Sequence, residues 1–215
     1  MRQYHNKPLG KFVGYIVSRF VFRLIGLLCF GYHCQGRQHI PKQGGALICA
    51  NHQSNLDPAL VGMASARHWR YLARKSLFTH PLFGRVITML DAIPLDRDGM
   101  GIQGIKATLK CLRSGAVVLI FPEGTRTKTG ELQRLKGGFI AIARRARVPL
   151  IPCGFDGAYD SLPRGSGIPD FQRVRCIYGA PIGVAEIESL TDDQLLAMVQ
   201  QRIEQCIEKA RISRH

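Results

Sequence analysis

Residues 116–121 are Ala-Val-Val-Leu-Ile-Phe, an unbroken apolar run with Gly115 before it and Pro122 after it. An apolar run of this length, bounded by Gly and Pro, predicts a strand that is buried on both faces. Residues 46–50, Ala-Leu-Ile-Cys-Ala, form a second such run that is entered through two glycines. Strands of this kind are typical of a sheet with helices on either side.

Strand-like and helical segments alternate along the rest of the chain. Further strands are predicted at residues 69–73, 92–95, 149–155 and 173–178. Helices are predicted to begin at Asp57 and to cover residues 101–113, 138–147 and 191–210. Thr191 and Gln194 have the spacing of a capping box. The sequence therefore predicts an α/β fold, a single domain over residues 35–215 with a mostly central β-sheet flanked by helices.

The chain is strongly basic, and the excess charge lies in its first part. It has 215 residues with 30 Lys and Arg, 15 Asp and Glu, and a net charge of +15. Up to Leu150 there are 23 basic and 6 acidic residues, and after it there are 7 and 9. Such a surface attracts nucleic acid, an anionic membrane or phosphorylated small molecules. A content of 46% hydrophobic residues excludes a disordered or collagen-like chain.

Residues 12–32 are apolar, but arginines interrupt them. The longest stretch there without Lys, Arg, Asp or Glu, residues 24–36, is shorter than the ~20 residues that span a bilayer. A narrow polar stripe recurs every four residues, at Lys11, Tyr15, Arg19 and Arg23. Residues 1–34 are therefore predicted to form an interfacial amphipathic helix or helix pair on an anionic membrane surface. A signal peptide and a buried core helix are the alternatives.

The cysteines and histidines lack the spacing of disulfide frameworks and metal sites. There are seven cysteines with no Cys-x-x-Cys pair, and no His-x-His or His-Glu-x-x-His occurs. Reduced thiols fit a cytosolic setting, so a peripheral location on the cytoplasmic face of the membrane is predicted. No metal and no cofactor are expected. Cys49 and Cys153 fall inside predicted strands and are expected to be small core residues.

Residues 51–57, Asn-His-Gln-Ser-Asn-Leu-Asp, follow the strand at 46–50 directly. His52 and Asp57 are five apart and do not meet on a helix face, but a strand-to-helix loop lets the carboxylate fold back onto the imidazole. A carboxylate on one ring nitrogen leaves the other nitrogen available as a general base. Because no Gly-x-Ser-x-Gly elbow is present, the nucleophile is expected to belong to a substrate. The alternative is that Asp57 only caps the helix.

Residues 121–127, Phe-Pro-Glu-Gly-Thr-Arg-Thr, follow the strand at 116–121. Gly124 permits a tight turn, and Arg126 presents a planar fork of donors that matches a phosphate. Ligands of α/β folds bind at the carboxyl ends of strands, so a site is predicted here, with solvated charges on a surface turn as the alternative. A separate basic cluster consists of Arg144, Arg145 and Arg147. It is interpreted as a solvated or lipid-facing helix surface, or as a contact for an anionic co-substrate.

Four blocks in order resemble the signature blocks of the glycerolipid acyltransferases, the 1-acylglycerol-3-phosphate acyltransferase family. Residues 51–57 and 121–127 resemble the first and third blocks. Residues 92–97, Ala-Ile-Pro-Leu-Asp-Arg, and 148–152, Val-Pro-Leu-Ile-Pro, resemble the other two. The resemblance covers residues 36–183, and Asp91 departs from the glycine that is common in the family at that position.

The resemblance implies transfer of a fatty acyl group from an acyl thioester to the free hydroxyl of 1-acyl-glycerol 3-phosphate, giving phosphatidic acid. The thioester, acyl-CoA or acyl carrier protein, is a co-substrate. His52 is implied as the catalytic base and Asp57 as the residue that orients it. The implied acceptor contacts are Arg97 and Arg126 for the phosphate, and Glu123, Gly124 and Thr125 for the glycerol. Backbone N–H groups near His52 are candidate donors to the oxyanion.

Two alternatives remain at the level of the sequence. Within the same family, the acceptor is glycerol 3-phosphate or another lysolipid such as a lyso-ornithine lipid. In a different class, the chain is a nonenzymatic basic protein that binds a membrane or nucleic acid. No nucleic-acid partner is expected, because the sequence lacks the motifs of the common nucleic-acid-binding folds.

Overall fold

The computed structural model describes residues 9–62, 67, 69–81, 83–89, 92–95 and 101–214. The helices within these residues are α1 (Leu9–Phe30), α2 (Asp57–Gly62), α3 (Lys75–Phe78), α4 (Phe83–Met89), α5 (Ile102–Arg113), α6 (Gly138–Ala146), α7 (Ala158–Ser161), α8 (Val184–Ser189) and α9 (Asp192–Arg214). The strands are β1 (His33–Gln35), β2 (Ala46–Ala50), β3 (Trp69–Arg74), β4 (Ile93–Leu95), β5 (Val117–Ile120), β6 (Leu150–Asp156) and β7 (Arg175–Tyr178).

These strands form one mixed sheet in the order β1-β7-β6-β2-β5-β3-β4. The strands from β6 to β4 run parallel to one another, whereas β7 is antiparallel to β6 and β1 is parallel to β7. The structure confirms the predicted α/β domain with a central sheet flanked by helices. The alternation of strands and helices is typical of the parallel strands from β6 to β4. Strands β7 and β1 at the other edge run in the opposite direction, and β7 follows a long loop after α7.

Alternate residues of β2 belong to two different apolar clusters because successive strand residues point to opposite faces. Ala46, Ile48 and Ala50 pack with residues of α1 and α2. Leu47 and Cys49 pack with residues of α5, α6, α8 and α9. The sheet is therefore covered on both faces, which explains why its central strands are apolar throughout.

Most predicted elements are present with shifted ends. Within the segment 1–34, which was predicted to form a helix or a helix pair, the described residues form one helix, α1, and the helix predicted at 191–210 extends to Arg214 as α9. The capping box of α9 is confirmed: Thr191 N donates to Gln194 Oε1 at 2.9 Å, and Gln194 N donates to Thr191 Oγ1 at 3.3 Å. The strand predicted at 173–178 begins only at Arg175.

Strand β1 and the short helices α3, α4, α7 and α8 were not predicted from the sequence. Three residues are too few for a periodic pattern, and β1 pairs with a strand far away in sequence. Gly36, directly after β1, has φ 77°, and a methyl group there would lie 2.0 Å from the Tyr178 carbonyl oxygen. Because β1 begins at His33, the strand includes the last residues assigned to the N-terminal segment 1–34. The division into segments 1–34 and 35–215 stays a prediction.

Helix α9 crosses β6 at very short range. Its buried stripe contains Leu195, Val199, Ile203, Cys206, Ile207 and Ala210. Gly154 lies beneath it in β6, where an added Cβ would be 2.4 Å from the Ile207 backbone nitrogen. The absence of a side chain at Gly154 therefore sets the distance between this helix and the sheet.

The close contact at Gly154 predicts a loss of stability when a methyl group is added. Gly154→Ala forces α9 away from β6, and we expect the free energy of unfolding to fall by about 1–3 kcal/mol, measured by urea denaturation. Gly138→Ala is the control, since an added Cβ there meets nothing within 4 Å and the position is helical. Equal stability of Gly154→Ala and wild type would contradict this packing.

Candidate active site

The predicted site residues converge because neighbouring parallel strands end at one edge of the sheet. Cys49 of β2 pairs with Ile120 of β5, so residues 51–57 and 121–127 leave the sheet side by side. In the adjoining pair, Arg74 of β3 is opposite Leu95 of β4. Strand β4 thus ends at the same edge, two positions before Arg97, which lies outside the described residues together with Asp91.

The centre of the site is a hydrogen bond between His52 and Asp57. His52 Nδ1 lies 2.8 Å from Asp57 Oδ2. An ionised carboxylate only accepts hydrogen bonds, so Nδ1 carries the proton and Nε2 has an unprotonated lone pair. Among the described residues nothing hydrogen-bonds to Nε2, and the His52 side chain is 17% exposed. This geometry is the one expected from the spacing of the two residues.

Asp57 closes its own loop rather than capping α2. Its side chain is 0% exposed, and Oδ2 also accepts hydrogen bonds from the N–H groups of Gln53 and Ser54 at 2.7 and 2.8 Å. Both donors precede Asp57 in the chain, whereas a helix cap binds N–H groups that follow it. Within the described part of the chain, the second carboxylate oxygen, Oδ1, is buried without a hydrogen-bond partner.

The imidazole is also held by an aromatic ring. Phe121 stacks on His52 with a distance of 3.8 Å between ring centroids and 9° between ring planes. Asp57 fixes one edge of the imidazole and Phe121 covers one face, so rotation of the ring is restricted. From the sequence, Phe121 was assigned to the end of a strand and to the 121–127 block, with no contact to His52. The pairing of β2 with β5 places Phe121 beside His52, and no pattern in the sequence shows that pairing.

Glu123 is a buried support for the His52 backbone. Its Oε1 accepts a hydrogen bond from His52 N at 2.6 Å, and its Oε2 accepts one from Gln133 N at 2.9 Å. Burial raises the pKa of the Glu123 carboxyl, while the two backbone donors oppose that rise. Both carboxylate oxygens are engaged by the main chain. The predicted contact of Glu123 with the glycerol of an acceptor stays a prediction.

Residues 121–127 also hold His52 from its carbonyl side. Thr127 N donates to the His52 carbonyl oxygen at 2.8 Å. This bond places the backbone of Thr127, the residue after Arg126, beside the histidine. Gly124 has φ 75°, and a Cβ built there would lie 3.0 Å from Lys136 Nζ. Arg164 Nη1 lies 3.5 Å from Thr125 Oγ1. Two cations, Lys136 and Arg164, thus lie directly against the predicted acceptor-binding stretch.

Three backbone N–H groups near His52 are used to hold carboxylates. The N–H of His52 binds Glu123, and the N–H groups of Gln53 and Ser54 bind Asp57. These three bonds fix the conformation of the loop that carries His52. The expectation that backbone N–H groups near His52 stabilise an oxyanion stays a prediction for the other N–H groups of the site.

The thiols have the environment of core residues. Cys49 and Cys153 are fully buried in the sheet, and burial raises the pKa of both. All seven cysteines are free. Within the residues that the structure describes, no three His, Cys, Asp or Glu side chains are grouped so as to hold a metal ion.

The basic cluster on α6 joins helices together. Arg144 Nη1 lies 3.0 Å from Asp192 Oδ1, and Arg147 Nη2 lies 3.3 Å from Glu188 Oε1. Two members of the cluster therefore bind α8 and α9 by ion pairs, a role that the sequence did not indicate, and the two predicted roles stay predictions. Arg145 is exposed.

A polar cavity of about 300 Å³ lies next to the site and is separate from the histidine. Gln53 and Tyr159 line it, but His52 and Asp57 do not. Its charges are paired internally, since Arg214 Nη1 lies 3.1 Å from Asp156 and 2.6 Å from Asp160. Because neither His52 nor Asp57 lines this cavity, it is not the candidate catalytic pocket.

Comparison with known proteins gives a consistent result. The 1-acyl-sn-glycerol-3-phosphate acyltransferase of Bacillus subtilis is 29% identical over 83% of this chain and 87% of its own length. The chloroplastic enzyme BAT2 of Brassica napus is 30% identical over 74% of this chain, which spans about half (47%) of that relative. The crystal structure of the 1-acyl-sn-glycerophosphate acyltransferase of Thermotoga maritima has a TM-score of 0.79 at 23% identity, and the match covers 97% of this chain and 85% of that one.

The likeness to the Thermotoga structure shows the fold, and the family is shown by a separate match. The model of the family described as Acyltransferase matches residues 31–156, more than half of the chain. The matched range contains the His52 and Glu123 stretches together with strands β1 to β6. The chain therefore belongs to the acyltransferase family.

Proposed function

We propose that this chain transfers a fatty acyl group from an acyl thioester to the free hydroxyl of 1-acyl-glycerol 3-phosphate, with His52 as the base. The observation that carries the proposal is the 2.8 Å bond between His52 Nδ1 and buried Asp57, which leaves Nε2 available. The names of the Bacillus and Brassica relatives supply the acceptor and the reaction. The site supplies a base, a carboxylate that orients it and cations next to them.

Proton removal is the chemical task of His52. An alcohol has too high a pKa to attack a thioester at neutral pH, so its proton passes to Nε2 as the new C–O bond forms. Asp57 stabilises the resulting imidazolium through the bond to Nδ1. When the tetrahedral intermediate collapses, the C–S bond breaks and the imidazolium returns the proton to the departing thiolate. The products are the ester and a free thiol, and His52 is neutral again.

The described side chains around the base favour the substrate as nucleophile. Ser54 Oγ donates to the Leu162 carbonyl oxygen at 2.9 Å and is buried. Thr127 Oγ1 accepts hydrogen bonds from the N–H groups of Thr129 and Gly130. Buried cysteine thiols with raised pKa values are poor nucleophiles. The acyl group is therefore transferred directly to the acceptor hydroxyl.

Binding of the acceptor phosphate is assigned to the cations beside residues 121–127. Arg126 follows the turn at Gly124, and the Lys136 ammonium lies against the same turn. Arg97 is included because its block resembles that of the family and β4 ends at this edge. A phosphate held away from the reacting atom positions the hydroxyl through its binding energy. Glycerol 3-phosphate or another lysolipid remains the alternative acceptor, and acyl-CoA and acyl carrier protein remain the alternative donors.

A peripheral location on the cytoplasmic face of an anionic membrane completes the proposal. Among the described helices, none combines the length and hydropathy that crossing a bilayer requires. Among the side chains of α1 that the structure describes, the large apolar ones that are exposed are Val17, Phe20, Val21, Leu24, Ile25, Leu27 and Leu28. Arg23 is exposed on the same helix. Apolar side chains with an adjacent arginine give a helix both of the attractions that stable binding to an anionic interface needs.

Removal of the base should abolish most of the activity. In a thiol-release assay with acyl-CoA and lysophosphatidate, we expect His52→Ala to lower kcat by about 10²–10⁴-fold. Asp57→Asn should lower it at least about tenfold, because the ring loses its charged acceptor. His33→Ala, an exposed histidine on β1, is the control. Wild-type turnover in folded His52→Ala would end the proposal.

Removal of a cation should weaken acceptor binding selectively. Arg97→Ala, Arg126→Ala and Lys136→Ala are each expected to raise the KM for lysophosphatidate about tenfold or more, with little change in the KM for the thioester. Lys110→Ala on α5 is the matched control. With a monoacylglycerol, which lacks the phosphate, the variants should equal wild type. A change confined to the KM of the thioester would place these cations on the donor.

Loss of the Glu123 carboxylate should act through the position of His52. Glu123→Gln places an amide N–H against one of the two backbone donors, so we expect kcat to fall about tenfold or more while both KM values change little. The free energy of unfolding should fall by about 1–3 kcal/mol. Glu188→Gln is the surface control. If Glu123→Gln raised only the KM for the acceptor, Glu123 would be a binding residue instead.

A further inference from the structure

Residues 162–173 form a compact loop between α7 and β7, called here the 162–173 loop. Its ends are joined across its base, since Asp170 N donates to the Ser161 carbonyl oxygen at 2.7 Å. Ser161 Oγ lies 3.2 Å from the Gln172 carbonyl oxygen and adds a second closure. A surface loop of this length with its ends held together is an Ω-loop, a class that often carries function. The loop lies beyond the matched residues 31–156.

The 162–173 loop exposes two large apolar side chains. Ile168 is 83% exposed and Phe171 is 60% exposed. The Phe171 ring lies 5.4 Å from the ring of Phe30 at the end of α1. Val174 N also donates to the Phe30 carbonyl oxygen at 2.9 Å. Phe171 therefore places the loop directly against the end of the proposed membrane helix, where Phe30 itself is buried.

Positive charge flanks these apolar side chains. Arg164 and Arg173 are exposed at the two ends of the loop. The acidic residue between them, Asp170, accepts a hydrogen bond from Gln172 Nε2 at 2.9 Å. Apolar tips with arginines beside them match the acyl chains and phosphates of an anionic bilayer.

The other end of the loop is attached to the candidate active site. Ser54, within residues 51–57, donates its hydroxyl to the Leu162 carbonyl oxygen at 2.9 Å. Arg164 Nη1 lies 3.5 Å from Thr125 Oγ1, within residues 121–127. The loop thus connects the end of α1 to both stretches that build the site.

We infer that the 162–173 loop is a second membrane contact, in which Ile168 and Phe171 enter the acyl region of an anionic phospholipid bilayer beside α1. The inference deepens the proposed function and rests on its interfacial α1. A loop inserted at this place holds residues 51–57 and 121–127 at the bilayer surface, where a lysolipid acceptor resides. Its partner is the lipid surface itself.

The test uses the full chain and protein-free vesicles of phosphatidylcholine with phosphatidylglycerol. In sedimentation, the double variant Ile168→Ser/Phe171→Ser should bind these vesicles about tenfold more weakly or worse than wild type. Arg173→Gln should lose part of the preference for anionic over pure phosphatidylcholine vesicles. The control is Ile212→Ser, an isoleucine that is 69% exposed on α9, a helix that packs on the sheet face opposite α1.

A second measurement reports insertion directly. Phe171→Trp places an indole in the loop, and brominated lipids should quench its fluorescence, whereas Ile212→Trp should be quenched little. The single native Trp69 is buried and adds only a constant background. Wild-type vesicle binding by the double variant, an equal loss in Ile212→Ser, or no quenching at Phe171→Trp each overturns the inference.

Activity separates this inference from the proposed function. With a short-chain lysophosphatidate that stays monomeric, the double variant should turn over at the wild-type rate, and with vesicle-borne acceptor it should be slower by about the loss in binding. An equal loss on monomeric and vesicle-borne acceptor contradicts a membrane role for the loop. Inactivity of wild type on every acceptor would refute the proposed function, and the sedimentation and quenching results would still decide on the loop.

Discussion

The buried carboxylate of Asp57 is the constraint on which the rest of the site depends. A single oxygen, Oδ2, accepts hydrogen bonds from His52 Nδ1 and from the N–H groups of Gln53 and Ser54. A fully buried charge is costly unless it is hydrogen-bonded, and these three donors supply the compensation. The loop conformation and the orientation of the imidazole therefore have the same cause. The backbone that satisfies Asp57 is also the backbone that places His52 at the end of β2.

The parallel pairing of β2 with β5 brings the second half of the site to this loop. Glu123 binds the His52 N–H, Thr127 binds the His52 carbonyl oxygen and Phe121 covers the ring. Three residues that lie about 70 positions after His52 in the sequence thus hold its N–H group, its carbonyl oxygen and its ring. Most of residues 121–127 thus acts on the position of His52, and a contact of the neighbouring cations with a substrate stays part of the proposal.

The sequence predicted what local pattern and chemistry determine. Apolar runs identified β2 and β5, the strand-to-helix loop predicted that His52 meets Asp57, and the spacing of Thr191 and Gln194 predicted the start of α9. The rest depends on contacts between distant segments. No local pattern shows that β7 reverses direction, that Glu123 faces inward to backbone donors, or that Phe121 stacks on His52. The use of the N–H groups of residues 52–54 by two carboxylates also appears only in three dimensions. The roles of His52, Asp57, Arg97, Glu123, Gly124, Thr125 and Arg126 toward substrates stay predictions.

The attachment of α1 has a mechanical consequence. Strand β1, an edge strand of the sheet, begins at His33, so only two residues separate it from α1. Two hydrogen bonds hold this junction. Val174 N donates to the Phe30 carbonyl oxygen, and Arg175 Nη1 donates to the Gly31 carbonyl oxygen at 2.7 Å. In the sheet order, β7 and β6 lie between β1 and β2. Through the sheet, two strands therefore separate this junction from the histidine loop. A shorter route starts at Tyr32, whose hydroxyl donates to the Leu60 carbonyl oxygen of α2 at 2.8 Å. Tilting of the proposed anchor in a bilayer therefore reaches α2, the helix that begins at Asp57, sooner than it crosses the sheet.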